Sequence, residues 1–284
     1  MHQPRLALLP LIVCLTGWLA LAQAERKALT VERIYGEPGL GGRLPSNLEW
    51  SPDGKLLTYV QRDKGKAEVW AYEVATGARR LLFDSAKLPK LASPPSGIGR
   101  QPGRTYQWSP RGNELLLAAQ GQLYLLKLAS GEVKPLTSAK EPAEDPKFSP
   151  DGNWVSFVRA YNLYVVNLAS GKETALTRDG REEWMNGTLD WVYPEELSIR
   201  TGYWWSPDSG RIAYLQMDQR PVTRYPILDF LPYRGKVDWE RYPKAGDANP
   251  VVRVGVMDIH RPKAAWMDTG RDTDIYLARV EWLK

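Results

Sequence analysis

Four times in this chain an aromatic residue leads into Ser-Pro and a tight polar turn. The copies are Trp50-Ser51-Pro52-Asp53-Gly54, Trp108-Ser109-Pro110-Arg111-Gly112, Phe148-Ser149-Pro150-Asp151-Gly152 and Trp205-Ser206-Pro207-Asp208-Ser209-Gly210. Repetition constrains the fold more than any single segment, because each copy must be the same supersecondary unit. Proline presets φ at the first corner of the turn, and Asp and Gly complete it. An apolar run follows each copy, at 56–60, 115–119, 154–158 and 212–215. Short apolar runs bounded by turn residues predict strands.

A second repeated piece completes the unit. Leu123-Tyr124-Leu125-Leu126-Lys127-Leu128-Ala129-Ser130-Gly131 recurs as Leu163-Tyr164-Val165-Val166-Asn167-Leu168-Ala169-Ser170-Gly171, and more loosely at 69–77. Each predicts a strand that ends in a small-residue hairpin turn and leads to another short strand, at 134–137 or 174–177. Four short antiparallel strands in units of about 40 to 58 residues make a β-propeller blade. An open β-sandwich explains the strands but not the shared turn. The expected fold class is therefore all-β: an incomplete β-propeller of about four blades plus a stub at 274–282, with a short helical insertion described below. The chain stops at Lys284, where the next turn is due. The expectation is the front portion of a longer protein, with open sheet edges that favour self-association.

The first residues stand apart from this pattern. Arg5 precedes an apolar stretch from Leu6 to Ala22, and Ala22-Gln23-Ala24 is a small-x-small triplet before Glu25-Arg26-Lys27. This is the layout of a secretory signal peptide, residues 1–24, which leaves 25–284 as the propeller portion. The stretch is short for a membrane span and carries Pro10. The expected product is periplasmic or secreted, with no membrane attachment after cleavage. Its only cysteine, Cys14, is lost with the leader, so neither disulfides nor thiol chemistry enter.

Charge excludes other classes. Lys and Arg number 38 against 33 Asp and Glu, interspersed without a basic block, which argues against a nucleic-acid surface. One histidine, His260, survives leader removal. With no cysteine beside it, no nitrogen/sulfur metal site can form, and no cofactor is expected. Neither Gly-x-Ser-x-Gly nor a phosphate-cradling glycine loop occurs, so no catalytic residue is assigned. The twelve tryptophans fall mostly at blade turns and read as core wedges.

Against this background Asp190-Trp191-Val192-Tyr193-Pro194-Glu195-Glu196-Leu197 stands out. Two neighbouring acids after a rigid aromatic run can receive a cation such as a protonated amine. They can equally be helix furniture. Pro194 suits the first position of a helix, and acids at the next two complement its positive end.

The wider segment resembles a known family. Met185-Asn186-Gly187-Thr188-Leu189 running into that octapeptide, then Tyr203-Trp204-Trp205-Ser206-Pro207, then Tyr242-Pro243-Lys244-Ala245-Gly246 with Asn249-Pro250, closely resembles the dipeptidyl peptidase IV family of serine peptidases. The resemblance runs from about Leu48 to the end. It implies a propeller that caps an α/β-hydrolase domain absent from this sequence, and a short helix that carries the acid pair into the shared cavity. It further implies that Glu195 and Glu196 bind the free α-amine of a peptide substrate, with Trp191, Tyr193 and Trp204 as candidate pocket walls. The family also uses a propeller arginine on a substrate carbonyl; Arg62 is the nearest candidate, but its surroundings do not match well enough to carry the role over. The chain alone is then expected to be inactive. The alternatives are a non-catalytic exported propeller acting as a binding or scaffold module, or a gene-fragment remnant.

Overall fold

The serine of the repeated turn does as much as the proline to shape each blade. Ser51 donates its hydroxyl to Asp53 Oδ1 at 2.6 Å and accepts the Leu56 N–H at 2.9 Å. Ser149 repeats this with Asp151 and Trp154, and Ser206 with Asp208 and Arg211. All four motif serines are buried. A buried hydroxyl must be paired, so the turn closes on it. In the second copy Arg111 replaces the aspartate. Ser109 receives the Arg111 N–H instead, and the guanidinium reaches the Asp151 carbonyl and the Asn153 side chain of the next copy.

The computed structural model describes residues 28–36, 40, 42, 44–63, 66–84 and 106–283. The leader at 1–24 lies outside them. Near the start, α1 (Val31–Tyr35) is a single turn capped by the Thr30 hydroxyl. It belongs to a separate unit ending at residue 43.

Three four-stranded antiparallel sheets follow in sequence order. They are β1 (Ser46–Trp50), β2 (Leu56–Asp63), β3 (Lys66–Glu73) and β4 (Arg79–Asp84); β5 (Tyr106–Trp108), β6 (Glu114–Ala119), β7 (Gln122–Lys127) and β8 (Val133–Pro135); and β9 (Glu144–Phe148), β10 (Trp154–Arg159), β11 (Asn162–Asn167) and β12 (Glu173–Ala175). The fourth unit is more elaborate. It runs through β13 (Trp184–Asn186), α2 (Val192–Glu195), β14 (Tyr203–Trp205), β15 (Arg211–Asp218), β16 (Arg224–Asp229), β17 (Lys236–Arg241), β18 (Val251–Asp258) and β19 (Ala264–Trp266). Both β13 and β14 lie on one edge of β15, which pairs with β18 and then β19. The β16–β17 hairpin stands off the sheet with Ile227, Leu228, Phe230 and Trp239 exposed.

The core lies between neighbouring blades. Val60, Val69 and Phe83 of the first meet Tyr106, Leu115 and Leu117 of the second. Leu116 and Leu123 meet Val155 and Phe157, and Val158, Leu163 and Val165 meet Tyr203, Ile212 and Tyr214. Each fully buried aliphatic or aromatic side chain contributes about 1.5–3 kcal/mol.

A polar pairing recurs inside this apolar packing. Tyr106 donates to the Thr58 hydroxyl at 2.7 Å, and Trp108 Nε1 to the same oxygen at 2.9 Å. One junction further on but one, Trp205 Nε1 donates to Ser156 at 2.8 Å, and Ser156 donates to the Tyr203 hydroxyl at 3.2 Å. At the junction between these two, Leu116 occupies the place of the hydroxyl and packs against Phe148, which has no donor.

The stub is the exception. Residues 274–283 enter no ladder. A strand needs a partner, and none of the described residues offers one there. Ile275, Leu277 and Val280 instead lie against Met185, Tyr193 and Leu215 of the fourth blade.

Candidate functional site

The acidic segment leaves the fourth blade at one residue and returns to the same residue. Leu215 accepts the Gly187 N–H and donates to the Gly202 carbonyl, both at 2.8 Å, so residues 188–201 bulge out between two glycines. Gly187 has φ of +71°. A Cβ on Gly202 would stand 2.7 Å from the Gly187 carbonyl oxygen. Only two residues without side chains permit this neck.

Above the neck, α2 is one turn long. Its start at Val192 corrects one expectation: Pro194 is the third helical residue, not the first. It still sits where its missing N–H would have been unpaired anyway. Glu195 therefore ends the turn and Glu196 caps it. In a helix of four residues the first and last turns coincide, so Glu195 still stands in the first turn and Glu196 follows it as the C-cap.

Asp190 lies directly beneath. It is 5% exposed, and burial, the larger effect, pushes its pKa up, while the N–H groups of Tyr193 and Val192 pull it down. Its Oδ1 has no hydrogen-bond partner among the described residues. Tyr193 is buried at 2% exposure, and its hydroxyl accepts the Leu277 N–H at 2.8 Å; burial raises its pKa to about 12. It supports the turn from within the core rather than lining a wall. Trp204 also leans inward, and its carbonyl accepts the Trp282 indole N–H at 3.3 Å. Trp191 is half-buried, edge to face with Tyr242 at 4.5 Å between centroids.

Glu195 and Glu196 are both exposed. Among the described residues neither carboxylate has an ion-pair partner. Two clefts of about 360 and 550 Å³ lie between the third and fourth blades, lined among others by Trp154, His260, Tyr214 and Trp266. Neither reaches the acid pair or its three aromatic neighbours. His260 packs on Trp154 at 5.7 Å, a structural contact. Arg62 is exposed near the end of β2 in the first blade. Among the described residues no cluster of His, Cys, Asp or Glu could hold a metal. No helix there is long and apolar enough to cross a membrane.

Sequence reasoning missed the glycine neck, the burial of Asp190 and the meeting of Trp191 with Tyr242. The last had a signal: both residues lie in the two segments that stand out from the repeat.

Fold and site together define a β-propeller whose fourth blade extrudes an acidic turn. The family described as Dipeptidyl peptidase IV (DPP IV) N-terminal region matches residues 114–284, and the chain belongs to it. A probable dipeptidyl-aminopeptidase B of Emericella nidulans is 34% identical over 257 residues, covering 83% of this chain and 23% of the relative. One from Podospora anserina is 37% identical over 123 residues, 38% of this chain and 13% of its own. The crystal structure of Porphyromonas gingivalis dipeptidyl peptidase 4 superposes with a TM-score of 0.67 at 25% identity, covering 82% of this chain and 34% of that one. A putative dipeptidyl aminopeptidase IV from Bacteroides ovatus shares the fold, with a TM-score of 0.56 at 21% identity over 83% of this chain and 32% of that one. The chain thus spans about a third or less of the length of these relatives.

Proposed function

We propose that this chain is the substrate-recognition part of an exported, serine-type dipeptidyl peptidase, in which Glu195 and Glu196 receive the free α-amine of a peptide. The observation that supports it is the position of the pair. Two adjacent acids stand exposed on the extruded turn, and among the described residues neither has an ion-pair partner. An ammonium brings three donors to them, and charge-assisted bonds to carboxylates are about twice as strong as neutral ones.

Fixing the amine also measures the substrate. With the first residue held, the bond two residues along lies at a constant distance from the pair, and cleavage there releases dipeptides. This sequence holds no Gly-x-Ser-x-Gly, and the hydrolytic step belongs to an α/β-hydrolase domain outside it. That domain would also close over the pair and exclude water, which strengthens each ion pair. Until then the open strand edges favour self-association of the isolated chain.

Titration of the isotopically labelled chain with Gly-Pro, followed by the amide signals of Glu195 and Glu196, tests the reading. The expected outcome is a saturable shift with Gly-Pro, none with N-acetyl-Gly-Pro, and loss of the response in Glu195→Gln/Glu196→Gln. Equal responses to the free and the blocked dipeptide would refute amine recognition.

A further inference from the structure

The geometry points to Tyr242 as a positioning residue for the acid pair, acting through Trp191; that role rests on the amine-binding reading above. A one-turn helix cannot hold its own shape in water. Among the described residues Glu195 and Glu196 have no side-chain partners to orient them, so the direction of α2 must be set by residues before it and beneath it. Beneath is Tyr193. Before it is Trp191, the N-cap, whose side chain makes no capping hydrogen bond. What Trp191 has instead is Tyr242, edge to face at 4.5 Å and 78°.

Tyr242 can serve as a fixed point because its own backbone is tied down. Its N–H is donated to the Thr223 carbonyl at 3.1 Å across the foot of the β16–β17 hairpin. The preceding residue, Arg241, has a side chain only 12% exposed and paired with Glu183. Its guanidinium donates to the carbonyls of Gln219 and Val222 at 3.0 and 2.9 Å, and to the Glu183 carboxylate at 3.2 Å. The hairpin foot is thereby anchored to the end of the fourth blade. Past Tyr242 the chain turns away through Pro243 and Gly246, the latter at φ of +90°, towards β18. The Tyr-Pro-Lys-Ala-Gly segment thus delivers one ring to the acidic turn and then leaves. The next ring along, Tyr225, is 6.2 Å from Tyr242 and sits beneath the Lys244 ammonium, so the contact with Trp191 is the only one joining this row to α2 among the described aromatic pairs.

The test reads the turn itself. Hydrogen exchange at the amides of Glu195, Glu196 and Leu197, which bond back to Trp191 and Val192, is measured in the full chain and in Tyr242→Leu and Tyr242→Phe. An edge-to-face aromatic pair of ordinary strength predicts exchange roughly two- to tenfold faster at those amides in the leucine variant. Amides of β6 and β10 should not change, and phenylalanine should restore the original rates. Unchanged rates at the three amides, or equal acceleration throughout the fourth blade, would overturn the assignment. Should the leucine variant fail to fold, a nuclear Overhauser contact between the Trp191 and Tyr242 rings in the unaltered chain decides it, its absence being fatal. Gly-Pro binding separates this idea from the reading beneath it. If the dipeptide ignores the unaltered chain while the exchange pattern holds, amine recognition fails and the brace stands. If it binds the unaltered and leucine chains alike with exchange unchanged, the brace fails and amine recognition stands.

Discussion

The Tyr193 hydroxyl accepts the Leu277 N–H at 2.8 Å, across 84 residues of chain. Through this bond the last described segment, which belongs to no sheet, is fastened to the base of the acidic turn. Tyr276 adds an aromatic contact to Tyr193 at 5.9 Å and donates its hydroxyl to Asn249 at 2.9 Å. The turn is therefore supported by a piece of chain that follows the fourth blade, not by that blade alone.

Replacing Tyr193 by Phe keeps the buried ring and removes only the acceptor. The half-buried Leu277 N–H is then unpaired, at a cost of about 1–3 kcal/mol. We expect urea denaturation to show that loss, with accelerated exchange at the Leu277 amide. A midpoint equal to that of the unaltered chain would mean the bond contributes nothing in solution.

The hydroxyls between blades make a second prediction. Thr58 is fully buried, donates to the Glu49 carbonyl and receives both Tyr106 and Trp108. Thr58→Val conserves shape and strands the Trp108 N–H, while the Tyr106 hydroxyl keeps the Asn47 carbonyl at 2.9 Å, so a loss of about 1–3 kcal/mol is expected from thermal or urea unfolding. Ser156→Ala should behave alike at its own junction. The converse change, Leu116→Thr, should also destabilise, because it removes apolar volume from the cluster that Leu116 forms with Val155, Phe157 and Phe148.

These pairs show how much of the molecule was legible in its sequence. The Ser-Pro turns announced the blades because turn chemistry is local: φ of proline and a serine two residues from an aspartate act within one short segment. The acid pair was legible for the same reason. What was illegible depends on which faces meet. Nothing near Thr58 says that Tyr106 will arrive, and nothing near Trp191 says that the chain will return at Tyr242 after a hairpin. Residues 274–282 read as a strand by composition, yet a strand is a relationship with a neighbour, and none of the described residues pairs with them. Pro194 misled in a smaller way, since proline fits any position of a first turn.

Acid should weaken the repeated turns in a defined direction. The Ser51 hydroxyl, then the Lys55 N–H, hold the Asp53 carboxyl below its ordinary 3.8; the Ser206 hydroxyl, then the Gly210 N–H, do the same for Asp208. A carboxyl depressed in the folded state stabilises fully above its unfolded pKa, and that stability is lost as pH falls through the depressed value. Both groups face solvent, so the effect is modest. Stability measured against pH should be level above the ordinary carboxylate range and decline below it. In Ser51→Ala/Ser206→Ala the decline should be shallower, from a lower plateau. An unchanged acid limb would show that the serines do not govern these carboxylates.

The glycine neck gives the most local prediction. Adding a methyl group at Gly202 brings it to 2.7 Å from the Gly187 carbonyl oxygen and 2.9 Å from its carbon, both backbone atoms that cannot swing aside. Something must open, and the only yielding element is the pair of bonds that Leu215 makes to the two sides of the neck. Gly202→Ala should therefore cost about 1–3 kcal/mol, the usual penalty for overpacking. It should also raise exchange at the Gly187 and Leu215 amides while the first three blades keep theirs. Because Glu195 and Glu196 ride on this neck, the dipeptide response should weaken in the same variant. Alanine at a remote, open turn such as Gly54 is strained by its φ of +70° but meets no atom, and should leave the dipeptide response intact. If alanine at 202 leaves both exchange and dipeptide response as they were, the pinch is not what holds the acidic turn in place.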